Sequence, residues 1–441
     1  MASRYLEPRL ERCARTAMTS LQQRRLRAQV AHAARHSPFY RRKLRAARVD
    51  AATIRTLDDL RRLPFTTKDE LKDNQLQHPP WGDVLAVPLA DVTRVHLTSA
   101  TSGRPLAFLD TAADWHGFYH SYARSLHAFG VRRTDMVMAA FSYGPWIGYW
   151  SGFYAAQDLG CLVYPVGGLS TEQRLDALLA YPITVLGCTP SYALFLAEAA
   201  AKKGIDLARD TKLRITWHTG EPGASIPATR ARIEAAFGVR AYDLPGLTEI
   251  AAWGFECEAR AGLTHVHEDY VYPEVLDEHE RPVKPGERGE LVFTSLYRRA
   301  MPLLRYRTRD LVQLADRRCP CGRTLVAFEG GVLARLDDMK KVRGIIVYPR
   351  RIEELVRPHR AVDEFQIVFR RRDGLDDILV RLDPSPSLAL GERTNLGEAL
   401  ARDLQLGLGI RVSVEVGEPG SLPRWDHKAR RVTDERTEVP F

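Results

Sequence analysis

Residues 98 to 105 read Thr-Ser-Ala-Thr-Ser-Gly-Arg-Pro, directly after the strand-like run RVHL. Hydroxyl side chains, a glycine and a cation packed into so short a stretch make a flexible loop. Its backbone N–H groups, hydroxyls and guanidinium can surround phosphate oxygens, with Ser99, Thr101, Ser102, Gly103 and Arg104 as candidate contacts. The Gly-Lys-Ser/Thr ending of a Walker A loop is absent. The same residues also build ordinary Ser/Thr turns.

A second group has the chemistry of metal ligation. Cys319-Pro-Cys321 resembles half of a structural zinc site, and Cys257 and His265 lie upstream in FECEARAGLTHVHED. Three thiolates and one imidazole make a closed tetrahedral site with no open position for catalysis. His267 is a competing ligand, and free cysteines beside a surface histidine are the alternative.

These residues must be held by elements, and the pattern predicts which. Arg9 to Asp73 reads as helices, interrupted at SPF. From Val84 to about Leu314 short apolar runs (DMVMAAF, CLVYPVG, PITVLGC, KLRITWHTG, VRAYDL) alternate with helical patterns (AADWHGFYHSYARSLHAFG, TEQRLDALLAY, SYALFLAEAAAKKG, PATRARIEAAFG). That alternation predicts an α/β fold with a largely parallel, helix-covered sheet. After Glu268 short β runs with turns predict a β subdomain over about 268–334. The last hundred or so residues mix both patterns and predict a small α+β domain. This unit begins at about Asp338, and Trp425 to Phe441 reads as an exposed tail or loop.

Composition narrows the classes. The chain has 441 residues, 45% hydrophobic, with no apolar run long enough for a bilayer. Its charged N-terminus shows no secretion signal. Six cysteines are too few for a disulfide scaffold and suit a reducing cytoplasm. The net charge of +9 comes from arginines spread along the chain beside Glu and Asp, without a basic tract. A nucleic-acid partner is not expected. Such a surplus also helps bind a polyanion such as ATP or coenzyme A.

Read in chain order, five further segments join the loop at Thr98: Thr219-Gly-Glu-Pro222, Asp243-Leu-Pro-Gly-Leu-Thr-Glu249, Arg305-Tyr-Arg-Thr-Arg-Asp310, Arg335-Leu-Asp-Asp-Met-Lys-Lys-Val-Arg-Gly344 and Pro423-Arg-Trp-Asp-His-Lys-Ala-Arg-Arg-Val432. The ordered set resembles the adenylate-forming superfamily of acyl-CoA ligases, and within it the phenylacetate–CoA ligase branch. The resemblance runs from about His36-Ser-Pro-Phe-Tyr40 to Asp434. Each motif alone is weak. Together, in the family's order, they are strong.

The resemblance implies roles. The phosphate loop matches with Ala100 for a usual Gly, Ser102 for Thr and Arg104 for Lys; Arg keeps the charge and adds a planar fork. Gly220, Glu221 and Pro222 match the segment bordering the adenine, and Asp243 is retained beside it, although Pro245 replaces the usual Tyr. Thr248 and Glu249 match a pair whose Glu binds magnesium, a hard cation that needs oxygen ligands. Asp310 matches the carboxylate that takes both ribose hydroxyls. Arg335 and Asp337 match the interdomain junction, which puts the boundary at 336/337 with a hinge near Asp337, Arg343 and Gly344 match a segment brought in for the second step, and Lys428 the lysine bridging substrate carboxylate and phosphate. His427 stands where a Gly usually precedes that lysine. The cysteine–histidine arrangement occurs in many relatives, with Thr264 lengthening the first spacing here. Family position puts Tyr143, Trp146, Ile147, Ala251 and Trp253 beside the acid, and an aromatic wall with small residues suits a flat aryl acid.

The expectation is a cytoplasmic enzyme, a monomer or homodimer, that converts an aryl acid and Mg·ATP to an acyl-adenylate and passes the acyl group to coenzyme A. A rival hands it to a carrier protein or an amine, and a rival of another class is a binding protein that has lost activity. Retention of Glu249, Asp310 and Lys428 argues against the last.

Overall fold

Five apolar runs form a parallel sheet in the order Leu162–Tyr164, Met136–Ala139, Val185–Cys188, Ile215–His218, Arg240–Asp243 in this computed structural model. The structure describes residues 3–98, 105–142, 144–260, 262–372, 375–425 and 429–436. The runs lack alternation because both faces are covered. Val137 and Ala139 join a cluster with Tyr122, Leu126 and Tyr149 on one side, and Met138 joins Leu178, Leu196 and Ile233 on the other. The helices Ala112–Ala128, Thr171–Ala180, Pro190–Lys202 and Pro227–Phe237 supply those faces where the pattern predicts helices.

One helix is not announced by the sequence. Ile147–Asp158 (IGYWSGFYAAQD) packs against Ala112–Ala128, and its apolar residues surround the axis, so no amphipathic period marks it. The break at SPF is a restart: Pro38 is the first residue of Pro38–Ala46, and the Ser37 hydroxyl accepts from Tyr40 N. A capping box of Thr67 and Glu70 opens Lys68–Gln77 and sets Lys68 at that helix's first position.

The β subdomain is a six-stranded antiparallel sheet in the order Gly254–Phe255, Leu263–Val266, Ala327–Arg335, Tyr306–Leu314, Arg288–Ser295, Val271–Leu276. It begins before Glu268, because two short strands in the cysteine–histidine segment already belong to it. The C-terminal domain pairs Val362–Arg372 with Leu375–Pro384 and adds parallel edge strands at Ser413–Val416 and Val432–Asp434. Val342, Ile352, Phe365, Phe369, Val380, Leu400 and Leu404 form a core of its own. The expected exposed tail therefore needs correction: Val432–Asp434 is an edge strand, charged because it lies at the rim. Among the described residues no helix is long and apolar enough to cross a membrane.

Candidate active site

The hairpin carrying the Ser/Thr/Gly loop is closed at its base. Val92–Leu97 and Ala107–Thr111 pair to Leu97 opposite Ala107, and Thr98 N donates to Leu106 O at 2.9 Å while Leu106 N donates to the Thr98 hydroxyl at 3.1 Å. Ser99, Thr101, Ser102, Gly103 and Arg104 lie outside the described residues, as do Tyr143 and Lys428.

A buried ion pair ties this hairpin to the Thr248–Glu249 turn. Asp110, in the returning strand, takes Nε and Nη2 of Arg298 at 2.6 and 2.8 Å, and both side chains are fully buried. Arg298 Nη1 then donates to the carbonyls of Thr248 and Glu249, each at 2.9 Å. The Glu249 side chain points between two groups the sequence did not single out. Lys68 Nζ stands 3.7 Å from its Oε1, and the Tyr306 hydroxyl donates to the same oxygen at 3.2 Å. Burial, then the Glu249 charge, holds the Tyr306 phenol well above its ordinary range. The only trace of Lys68 in the sequence is the capping box beside it.

Tyr306 opens the strand that carries Asp310 four residues on. Asp310 is buried, and burial pushes its carboxyl up to about 6 despite the Arg335 guanidinium beside it. Asp243 closes the last parallel strand; burial and Glu256 push it up to about 7, opposed by Arg230 and Arg350. Its backbone N–H donates to Glu256 Oε2 at 2.8 Å. Gly220 follows the strand Ile215–His218 with φ +92°, a conformation that favours glycine, and leads into Glu221 and Pro222.

After Arg335 and Asp337 the chain enters a two-strand hairpin, Lys340–Val342 with Ile345–Val347. Arg343 and Gly344 are its turn, both with positive φ (+48° and +83°), as a type I′ turn requires. Both are exposed, and Arg343 donates to the Arg411 carbonyl within its own domain.

Of the proposed acid wall, Ile147 and Ala251 meet in one buried cluster with Trp115 and Phe118, edged by Trp150, Tyr154 and Tyr297. Trp146, just before that helix, is 42% exposed. Trp253 belongs elsewhere. It is buried in the core of the antiparallel sheet, 5.5 Å from Phe293 and 5.9 Å from Phe328, because that sheet needs a large side chain to fill its inner face.

Cys257, His265, Cys319 and Cys321 are all buried, with their donor atoms within 4.8 Å of one another. Cys257 Sγ lies 3.6 Å from Cys319 Sγ, and Cys321 Sγ lies 3.5 Å from His265 Nε2. Metal–ligand bonds of about 2.0–2.3 Å put neighbouring donors of a tetrahedral zinc about 3.5–3.8 Å apart. The donor set fits such an ion. His267 is turned away to Ser125 Oγ at 3.0 Å and Arg124 Nη1 at 3.3 Å. Around the knuckle, Tyr5 donates to Cys321 O at 2.6 Å and Arg323 pairs with buried Glu11 at 2.7 Å, which clamps the N-terminal segment onto it.

A helix-flanked parallel sheet beside an antiparallel sheet with a buried carboxylate, followed by a small α+β domain, is the architecture of an adenylate-forming CoA ligase. The chain belongs to the AMP-binding enzyme family: residues 14–297 match that family and residues 344–436 match the AMP-binding enzyme C-terminal domain. It is 37% identical to the phenylacetate-coenzyme A ligase of Thermus thermophilus, covering 98% of this chain and 99% of that one. It is 36% identical to that of Aromatoleum evansii, covering 98% and 97%. The structure is similar to a 2-hydroxyisobutyryl-CoA ligase in the postadenylation state, with a TM-score of 0.93 at 32% identity over 98% of this chain and 93% of that one. Against the same ligase in the thioesterification state, with the same identity and coverage, the TM-score is 0.74. The arrangement of the two domains is thus more similar to that of the first of these structures than to that of the second.

Proposed function

We propose that the protein activates a planar aryl acid, of the benzoate or phenylacetate type, and transfers the acyl group to coenzyme A. A carboxylate oxygen attacks the α-phosphorus of ATP, the bond to pyrophosphate breaks, and an acyl-adenylate forms. The thiol sulfur of coenzyme A then attacks the acyl carbon, and AMP leaves.

The observation that carries the first step is the link between Glu249 and the strand of Asp310 through Tyr306, with Arg298 joining the same turn to the phosphate-loop hairpin. In this reading Ser99 to Arg104 surround the phosphates, and Glu249, next to Thr248, would hold a magnesium ion, which would neutralise phosphate charge. Asp310 accepts from the ribose hydroxyls, while Gly220, Pro222 and Asp243 border the base. Lys428 steadies the charge that develops between carboxylate and phosphate. The large domain ends at Leu336 and the small domain turns about Asp337, withdrawing Lys428 and bringing in Arg343 and Gly344 for thiolysis.

The wall of Ile147 and Ala251 against Trp115, with Trp150 and Tyr154 at its edge, supports a flat aromatic acid. The ligase with a TM-score of 0.93 is named for a short hydroxy acid, which makes 2-hydroxyisobutyrate the competing substrate. Cys257, His265, Cys319 and Cys321 would hold a zinc ion, and that ion would be structural, since four protein donors leave no position open. Six cysteines without a disulfide among them fit a cytoplasmic enzyme. Pyrophosphate release over benzoates, phenylacetates and 2-hydroxyisobutyrate, with and without coenzyme A, tests the reading. Turnover of aryl acids to aryl-CoA is the expected result, and an acceptor other than coenzyme A would shift the second step to a carrier protein or an amine.

A further inference from the structure

Glu221 lies in the segment expected at the nucleotide, yet its carboxylate is committed to two backbone donors. Oε1 accepts the N–H of Ser191 at 2.8 Å, and Oε2 accepts the N–H of Ala429 at 2.9 Å. Ser191 is the second residue of the helix Pro190–Lys202, where unpaired N–H groups and the helix dipole favour an anion. Ala429 directly follows Lys428 in the C-terminal domain. One side chain therefore spans both domains at the point where the lysine segment meets the large domain.

The surroundings hold this corner firmly. Gly223 is pressed against the same helix so closely that a Cβ there would stand 2.4 Å from Pro190 Cβ, which fixes the backbone just beyond Glu221. Arg431, three residues past Lys428, donates to the Ser191 hydroxyl at 3.0 Å and pairs with Glu364 at 2.7 Å in its own domain. Arg424 joins Glu198 of the helix at 2.9 Å and Asp383 at 2.6 Å. Two arginines, Arg424 and Arg431, thus tie the chain to this helix on either side of residues 426–428, and Glu221 binds the described residue that follows Lys428 in sequence.

We propose that Glu221 is a positioning residue for adenylate formation: its carboxylate fastens the segment carrying Lys428 onto the N-terminus of the helix Pro190–Lys202. The proposal rests on the role given to Lys428 above. Hydrogen bonds to a carboxylate are among the stronger ones, so losing them shifts the domain equilibrium away from the arrangement in which the lysine reaches the acid. Thiolysis, carried out with the small domain turned away, does not need this contact. A nucleotide contact would instead act on ATP affinity, and a purely structural cap would act on both half-reactions alike.

The test measures pyrophosphate release from acid and ATP, and thioester formation from supplied acyl-adenylate and coenzyme A, in full-length Glu221→Ala, Glu221→Gln and Lys428→Ala. Glu221→Ala is expected to slow adenylate formation about ten- to a hundredfold, with KM for ATP moving about twofold at most and thioester formation unchanged. Glu221→Gln keeps the shape and one acceptor and falls between, which secures the test if the alanine variant does not fold. Equal loss in both half-reactions, or a KM for ATP that rises as far as the rate falls, overturns the proposal. Adenylation lost in Lys428→Ala but kept in Glu221→Ala overturns it alone. Adenylation that survives in Lys428→Ala overturns the role of the lysine and the proposal with it.

Discussion

Asp310 and Arg335 face each other in neighbouring antiparallel strands, and Arg335 Nη1 donates to Asp310 Oδ1 at 2.9 Å. The same guanidinium holds Asp337 through Nε and Nη2 at 3.0 and 2.8 Å. The carboxylate assigned to the ribose is thereby tied to the residue about which the small domain is proposed to turn.

That burial has a pH consequence. A carboxyl raised to about 6 must be ionised to accept from both ribose hydroxyls, so nucleoside affinity is full above pH 7 and is lost as pH falls through 6. Adenosine, which does not titrate in this range, is expected to bind about tenfold more weakly at pH 5 than at pH 7. In Asp310→Asn the step near pH 6 should be absent and affinity low throughout. A step that persists in that variant assigns the titration to another group, with Asp243 the next to test.

Arg298 is a second point of leverage. Replacing it with Met leaves Asp110 buried without its guanidinium partner, which costs about 3–5 kcal/mol of stability, and frees the carbonyls of Thr248 and Glu249. Denaturant unfolding should show that loss, and any protein that stays folded should make adenylate slowly. A variant within 1 kcal/mol or so of the parent, with full activity, would mean the pair does not hold the turn.

The metal prediction follows from the donor set. The purified protein should carry about one zinc per chain, and Cys321→Ser should lose it and melt earlier while keeping most of its ATP affinity. His265→Ala should release the metal and His267→Ala should retain it, since His267 is held by Ser125 and Arg124. Zinc-free protein with full stability would remove the site.

Much of this was legible in the sequence, for physical reasons. Strands covered on both faces read as unbroken apolar runs, so the parallel sheet stood out. The helix Ile147–Asp158 did not, because a helix apolar all round has no period. The edge strand Val432–Asp434 reads as charged tail since only one of its sides is paired. Spacing alone could not choose between His265, in the strand Leu263–Val266, and His267, just past its end; their hydrogen-bond partners lie far away in the chain. Lys68 and Tyr306 were missed at the site for the same reason: what makes them matter is a distance to Glu249. Trp253 was read as pocket wall because aromatic residues announce burial without saying against what.

The acid itself is decided by competition. Benzoates or phenylacetates should be turned over with a higher kcat/KM than 2-hydroxyisobutyrate or octanoate, because the acid is proposed to lie beside the aromatic apolar cluster of Ile147, Ala251 and Trp115. A hydroxy acid or fatty acid that outpaced every aryl acid would reassign the pocket.

The most direct test of the central claim separates the two half-reactions in Lys428→Ala. Adenylate formation from an aryl acid and Mg·ATP should fall by about a hundredfold or more, while aryl-CoA formation from supplied aryl-adenylate proceeds near the parent rate. An equal loss in both half-reactions, or no loss in the first, would contradict a ligase that uses one domain arrangement to make the adenylate and another to spend it.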